Sequence, residues 1–206
     1  MTRAMLLIAS LLLLLNACCP LTSVHPLGDP QKADYDSRLE GVWRQEFEKD
    51  YVMLHIGKAR NGRIQVIAVE HDENGKVDYD GFTVSGIYLK NHYYLDIDIA
   101  QLTPKHQEGQ KGHVIISYSL SDDNTLVLST LELDPVAAAI QAKKLTGEIT
   151  YQKSAKPSKE STSAPQSPKI ECAYITDTSD NLAKFISASD PGQLFKTVMT
   201  FKRVSP

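Results

Sequence analysis

Three side-chain types in this sequence could carry chemistry: cysteine, histidine and the carboxylates. The cysteines are Cys18, Cys19 and Cys172. None form a Cys-x-x-Cys pair, so their spacing offers neither a thiolate zinc site nor a dithiol redox motif. The six histidines are His25, His55, His71, His92, His106 and His113, and no two stand at His-x-His or His-x-x-x-His spacing. They supply no local metal-ligand set; most fall near strand ends or loops, where solvated positions are expected. Asp78 and Asp80, and again Asp96 and Asp98, place two acids on one strand face. Paired-carboxylate catalysis needs such groups in a cleft with separated pKa values; a solvated outer face is the expectation here. Asp122-Asp123-Asn124 lacks the rest of an EF-hand loop. No Gly-x-Ser-x-Gly elbow and no phosphate-cradling glycine loop occur. The sequence therefore proposes no catalytic residue, no metal and no cofactor.

The cysteine marked out by position is Cys18. Met1 to Arg3 carries one basic side chain, and Met5 to Leu15 is apolar except for Ser10. A membrane-spanning helix needs about 20 apolar residues. The shorter run reads as the h-region of an export signal and is set aside from the fold. No other stretch is long and apolar enough to span. Leu15-Asn16-Ala17-Cys18 then resembles the bacterial lipobox: an aliphatic residue, a tolerant position, a small residue, cysteine. That resemblance implies a signal peptide over 1–17, cleavage before Cys18, and lipid on the Cys18 thiol. Each buried methylene contributes about 0.8 kcal/mol, and stable anchoring takes two chains or more. A diacylated or triacylated Cys18 meets that condition. The alternative is an ordinary secretory signal with a chance cysteine. By the same resemblance, Cys19 is not the Asp that retains lipoproteins at the inner membrane, which implies the outer membrane.

Cleavage there removes only Arg3 among the charges, leaving 21 basic against 25 acidic residues. No Lys/Arg stripe forms, so nucleic acid is not an expected partner. A mature chain of roughly 190 residues fits one domain with a core of its own. Cys19 and Cys172 could pair in an oxidising compartment. The alternation Glu171-Cys172-Ala173-Tyr174-Ile175 favours a buried apolar position for Cys172 instead.

The elements that must position these residues are mostly strands. Residues 18–37 hold Pro20, Pro26, Gly28 and Pro30 with little apolar content, and read as a tether between lipid and domain. From Leu39 the period becomes two. Val52, Leu54 and Ile56 share a face, with His55 beside Tyr51 and Met53 on the other. Asn61-Gly62 is a type I′ hairpin signal, and Glu73-Asn74-Gly75 closes the next hairpin. A long strand passes Phe82, Val84 and Tyr88, with Gly81 and Gly86 as candidate bends or bulges. Lys90-Asn91 turns into Tyr93, Leu95, Ile97 and Ile99. Val114, Ile116, Tyr118 and Leu120 repeat the pattern, and residues 121–124 turn into Thr125–Leu133. Two short helices interrupt. Asp134-Pro135 reads as an N-cap and first helical position, with Gly147 beyond the C-terminus. The second begins at Thr178 or Ser179, carries Leu182, Phe185 and Ile186, and ends at Pro191-Gly192. A closing strand runs from about Lys196 to Val204. Residues 154–169 have no large apolar side chain and read as a disordered insertion; the 170–206 piece is too short to fold alone. The expectation is a single domain over 38–206. Its strands form an antiparallel up-and-down meander that curls into a barrel and so removes its edges.

Ser23-Val24-His25-Pro26-Leu27 and Leu39-Glu40-Gly41-Val42-Trp43, following Cys18, resemble a family of small, uncharacterised bacterial lipoproteins. Ile175 to Phe185 and Phe201-Lys202-Arg203-Val204 fit the same pattern; the insertion departs from it. Gly41-x-Trp43 also resembles the opening strand of lipocalins and other calycin-like barrels. That likeness implies Trp43 at the closed end of the barrel beneath an Arg from the last strand, here Arg203. The functional expectation is a non-catalytic, lipid-anchored module of the bacterial envelope. It would contact protein, glycan or lipid while held to the membrane through Cys18. The alternative is a calycin-like carrier of a small hydrophobic ligand, which needs a hollow barrel.

Overall fold

The computed structural model describes residues 21–102, 112–152 and 169–205, with the side chains of residues 61 and 205 left aside. Eight antiparallel strands close into a barrel: β2 (Gly41–Phe47), β3 (Asp50–Lys58), β4 (Ile64–His71), β5 (Val77–Leu89), β6 (His92–Asp98), β7 (His113–Ser121), β8 (Thr125–Leu131) and β11 (Phe195–Ser205). Each pairs with its predecessor except β11, which lies between β8 and β2 and closes the ring. The alternating residues recognised in the sequence face inward. Val52, Leu54, Ile56, Leu95, Ile97, Ile116, Leu126 and Phe201 all join one buried cluster inside the barrel.

Between β8 and β11 the chain leaves the barrel. It forms α1 (Leu133–Gln141), β9 (Gly147–Tyr151), β10 (Ile170–Ile175), α2 (Ser179–Ala188) and the single turn α3 (Pro191–Leu194). β9 and β10 pair antiparallel, so residues 153–168 join the arms of one hairpin. The expected insertion at 154–169 lies, apart from Lys169, outside the described residues. Val136, Ala139, Leu182 and Ile186 bury against Ile87, Tyr94 and Ile115 on the outside of the barrel, making a second core. Fully burying such an aliphatic side chain contributes about 1.5–3 kcal/mol.

The segment read as a tether is packed against the barrel over its described part. β1 (Thr22–Ser23) runs parallel to β10 and bridges β7 at Ser23↔His113. Leu27 is 1% exposed in the second core. Asp34 N–H donates to the Gly86 carbonyl at 2.8 Å. Few apolar residues suffice here because backbone hydrogen bonds hold the strap beside its buried leucines.

Local expectations also shift. Asn61-Gly62 does not form a two-residue turn: Lys58 pairs with Ile64, a 3-10 turn fills Arg60–Gly62, and only Gly62 of the pair has positive φ, +74°. The turn with positive φ at both positions is Lys90-Asn91, at 44° and 69°. Helix α1 starts at Leu133, one residue before Asp134, with Glu132 at its N-cap, and Lys143 at φ 57° follows its end. Gly147 opens β9 instead of ending the helix. Pro191-Gly192 opens α3, whose N-cap is Asp190.

Candidate functional site

Strand directions alternate, so the start of β2, the finish of β11 and the β5–β6 and β7–β8 turns share one end of the barrel. A 3-10 turn, Ser37–Leu39, lies there and buries Leu39 in the barrel core. Trp43 is fully buried beneath it, and its indole N–H donates to the Leu39 carbonyl at 2.8 Å. The Arg203 guanidinium sits 4.2 Å from the Trp43 ring centroid. It donates to the Glu40 carbonyl at 2.6 Å and to the Arg38 carbonyl. One side chain of the last strand therefore stacks on the tryptophan and ties down the turn above it.

Beside it lies a polar cluster. Asp36 accepts from Arg38 Nε at 2.8 Å, Arg38 Nη2 at 2.7 Å and the Tyr118 hydroxyl at 3.1 Å. Burial works to raise the Asp36 pKa; the hydrogen bonds from Arg38 and Tyr118 outweigh it and hold the carboxyl below its usual range. Burial, then the Asp36 charge, push the Tyr118 hydroxyl well up, so it stays protonated as the donor. Arg38 also lies 5.0 Å over Tyr93. Asp36, Arg38 and Tyr118 are thus bonded to one another, which together with the buried Trp43 plugs this end.

Inside, the barrel is nearly full. Among the described residues, a cavity of about 30 Å³ lies inside the barrel, lined by Leu39, Ile56, Phe82, Ile97, Leu126 and their aliphatic neighbours. That is room on the order of one water molecule. Towards the opposite end, Glu70 and Asp80 face inward and are 8% and 7% exposed. Asp80 thus departs from the solvated outer face expected for it; neither acid is without a partner.

The outer faces of the barrel differ from one another. On β5–β7 the outward Asp96 is covered by the strap and is 3% exposed. Its carboxylate accepts the Leu27 N–H at 2.6 Å and meets His113 Nδ1 at 2.7 Å. This too departs from a solvated position, because the second core lies over that face. Burial lowers the His113 pKa, but the hydrogen bond and charge of Asp96, with Asp98, prevail and raise it. On β2–β5 no described element covers the outer face. Tyr51 stacks on His71 at 4.3 Å with Arg44 at 4.1 Å from its ring. Ile67, Val77 and Tyr79 beside them are 41%, 52% and 71% exposed. A separate depression of about 390 Å³ lies between α1 and α2–α3, over Ala138, Ala142 and Phe185.

Cys172 is buried as the alternation implied, yet it is disulfide-bonded, where an unpaired apolar position was favoured. Cys18 lies outside the described residues. Among the described residues no three His, Cys, Asp or Glu side chains gather to hold a metal. Sequence reasoning missed Asp36, the burial of Asp96 and the exposed β3–β5 row. Only the strand alternation hinted at them, and it does not say which outer face stays bare. Comparison of the chain with family models, with curated proteins and with solved structures finds no match.

Proposed function

We propose that this chain is an exported envelope lipoprotein, anchored through Cys18, whose barrel acts by surface contact and performs no catalysis. The filled interior carries this reading. A cavity of about 30 Å³ is far below the several hundred Å³ of a small-molecule site. Contact then falls to the outside, and the β3–β5 face with Ile67, Val77 and Tyr79, which no described element covers, is the surface we assign to it. Aromatic and aliphatic side chains flanked by Arg44, His55 and His71 suit a protein or glycan partner in the envelope. The lipobox-like Leu15-Asn16-Ala17-Cys18 supports the anchor, and Cys19 in place of Asp supports the outer membrane.

Two measurements test this reading. Cys18→Ala should shift the protein from the membrane to the soluble fraction; continued membrane association would remove the anchor. Native mass spectrometry of the acyl-free domain should show an empty protein. A reproducible hydrophobic ligand would put the carrier reading in its place.

A further inference from the structure

We propose that β9 is the seam of a homodimer. A second copy of this chain pairs with it edge to edge, antiparallel, about a two-fold axis at Ile149. The inference rests neither on the anchor at Cys18 nor on the β3–β5 face.

Closure gives every barrel strand a neighbour on both sides, and β1 and β10 each lie between two strands. Among the described strands, β9 alone has a neighbour on one side only. An open edge is a template for another chain, and proteins guard such edges with lysine, proline or a bulge. Gly147-Glu148-Ile149-Thr150-Tyr151 has neither lysine nor proline. The irregularity of the hairpin falls on β10, between Ile170 and Cys172.

The hairpin fixes which groups face that edge. Thr176 N–H donates to the Thr146 carbonyl at 3.0 Å, and Gln152 N–H to the Lys169 carbonyl at 2.9 Å. Antiparallel ladders alternate, so the even-numbered residues of β9 turn their backbone towards β10. Gly147, Ile149 and Tyr151 turn N–H and C=O to the open side. Ile149 packs in the second core, and the Tyr151 hydroxyl accepts from Gln141 Nε2 at 3.1 Å, which sets these side chains on the α1 face. Glu148 and Thr150 are exposed on the other face.

This edge is complementary to a copy of itself. With Ile149 opposite Ile149, Gly147 meets Tyr151 at both ends and Glu148 meets Thr150. All three outward residues are then paired, by about six hydrogen bonds. The Tyr151 ring covers the glycine across from it, a known shield for an edge glycine, and each carboxylate meets a hydroxyl. Sliding by two residues one way sets Glu148 against Glu148, like charges directly opposite. Sliding the other way leaves Gly147 unpaired. One register therefore stands out, and it is the isologous match of a two-fold dimer.

Sedimentation equilibrium of the full-length protein in density-matched detergent, with hydrogen exchange at β9, tests the seam. The expected mass is twice that of the chain and falls to one chain on dilution, while exchange at the Ile149 and Tyr151 amides quickens. Thr150→Glu places like charges across the seam twice and should raise the dissociation constant about tenfold. Thr150→Lys sets an ammonium opposite Glu148 and should not raise it. Adding Glu148→Lys to Thr150→Glu should restore the wild-type value, which separates repulsion from misfolding. A single-chain mass at every concentration overturns the inference. So does a dimer equally tight with Glu or Lys at position 150, or slow exchange at both amides in the single chain, which would mean that the chain covers its own edge.

Discussion

At the residue scale, two side chains hold much of what distinguishes this barrel. Arg203 stacks on Trp43 and caps the Ser37–Leu39 turn through two backbone carbonyls. Arg203→Ala should lower unfolding free energy by about 1–3 kcal/mol in urea titration, from the lost stacking and hydrogen bonds together. Arg203→Lys should recover only part of this, because an ammonium cannot lie flat on the ring while forking to two carbonyls. His113 carries a pH dependence. Its folded-state pKa is raised, so protonation favours the folded form. The contribution is complete below the ordinary histidine value of about 6.5 and is lost as pH rises through the elevated folded value. The melting-temperature gap between wild type and His113→Gln should therefore narrow as pH climbs above that range. A gap constant across pH would mean the Asp96 contact owes nothing to charge. The sequence offered Arg203 as the counterpart of Trp43 only through a family likeness. It offered no sign of Asp96–His113, because those residues lie 17 apart and meet only once β6 and β7 pair.

At the element scale, the strap from Leu21 to Leu39 decides which face of the barrel is covered. It crosses β5 closely at Gly86. A Cβ there would fall 2.0 Å from the Asp34 carbonyl oxygen, with no flexible side chain to yield. Gly86 was a candidate bulge from sequence; β5 instead runs in unbroken register past it, and the glycine serves a close backbone approach. Gly86→Ala should lift the strap. Hydrogen exchange should then quicken at the Asp34 and Tyr88 amides, which donate to the Gly86 carbonyl and the Asp34 carboxylate. Overpacking of this kind costs about 1–3 kcal/mol. Unchanged exchange at both amides would show that the strap is not fixed there. The strap was read as a tether because it is polar and proline-rich. Composition averages over the segment and does not register its few buried leucines or the backbone hydrogen bonds beside them.

At the scale of the whole molecule, the barrel is closed, plugged at the Trp43 end and filled. Phe82→Ala should open space beside the existing cavity, which Phe82 lines. The loss should be about 3–5 kcal/mol. Benzene or xenon should then stabilise the variant and leave wild type unmoved; an equal shift for both would mean the native interior is already accessible. The strand period, the turn residues and the closing strand were set by local chemistry: alternating side chains, positive-φ positions and amphipathic spacing act over a few residues and can be read one after another. The sequence by itself thus determined an up-and-down β-barrel interrupted by two short helices. Only the tertiary structure decided how full that barrel is, since cavity volume depends on side chains from every strand meeting at once. It alone decided that α1, α2 and the strap cover β5–β7, burying Asp96, while no described element covers β3–β5. An outward position in a strand is the same in sequence whether solvent or a second layer lies over it.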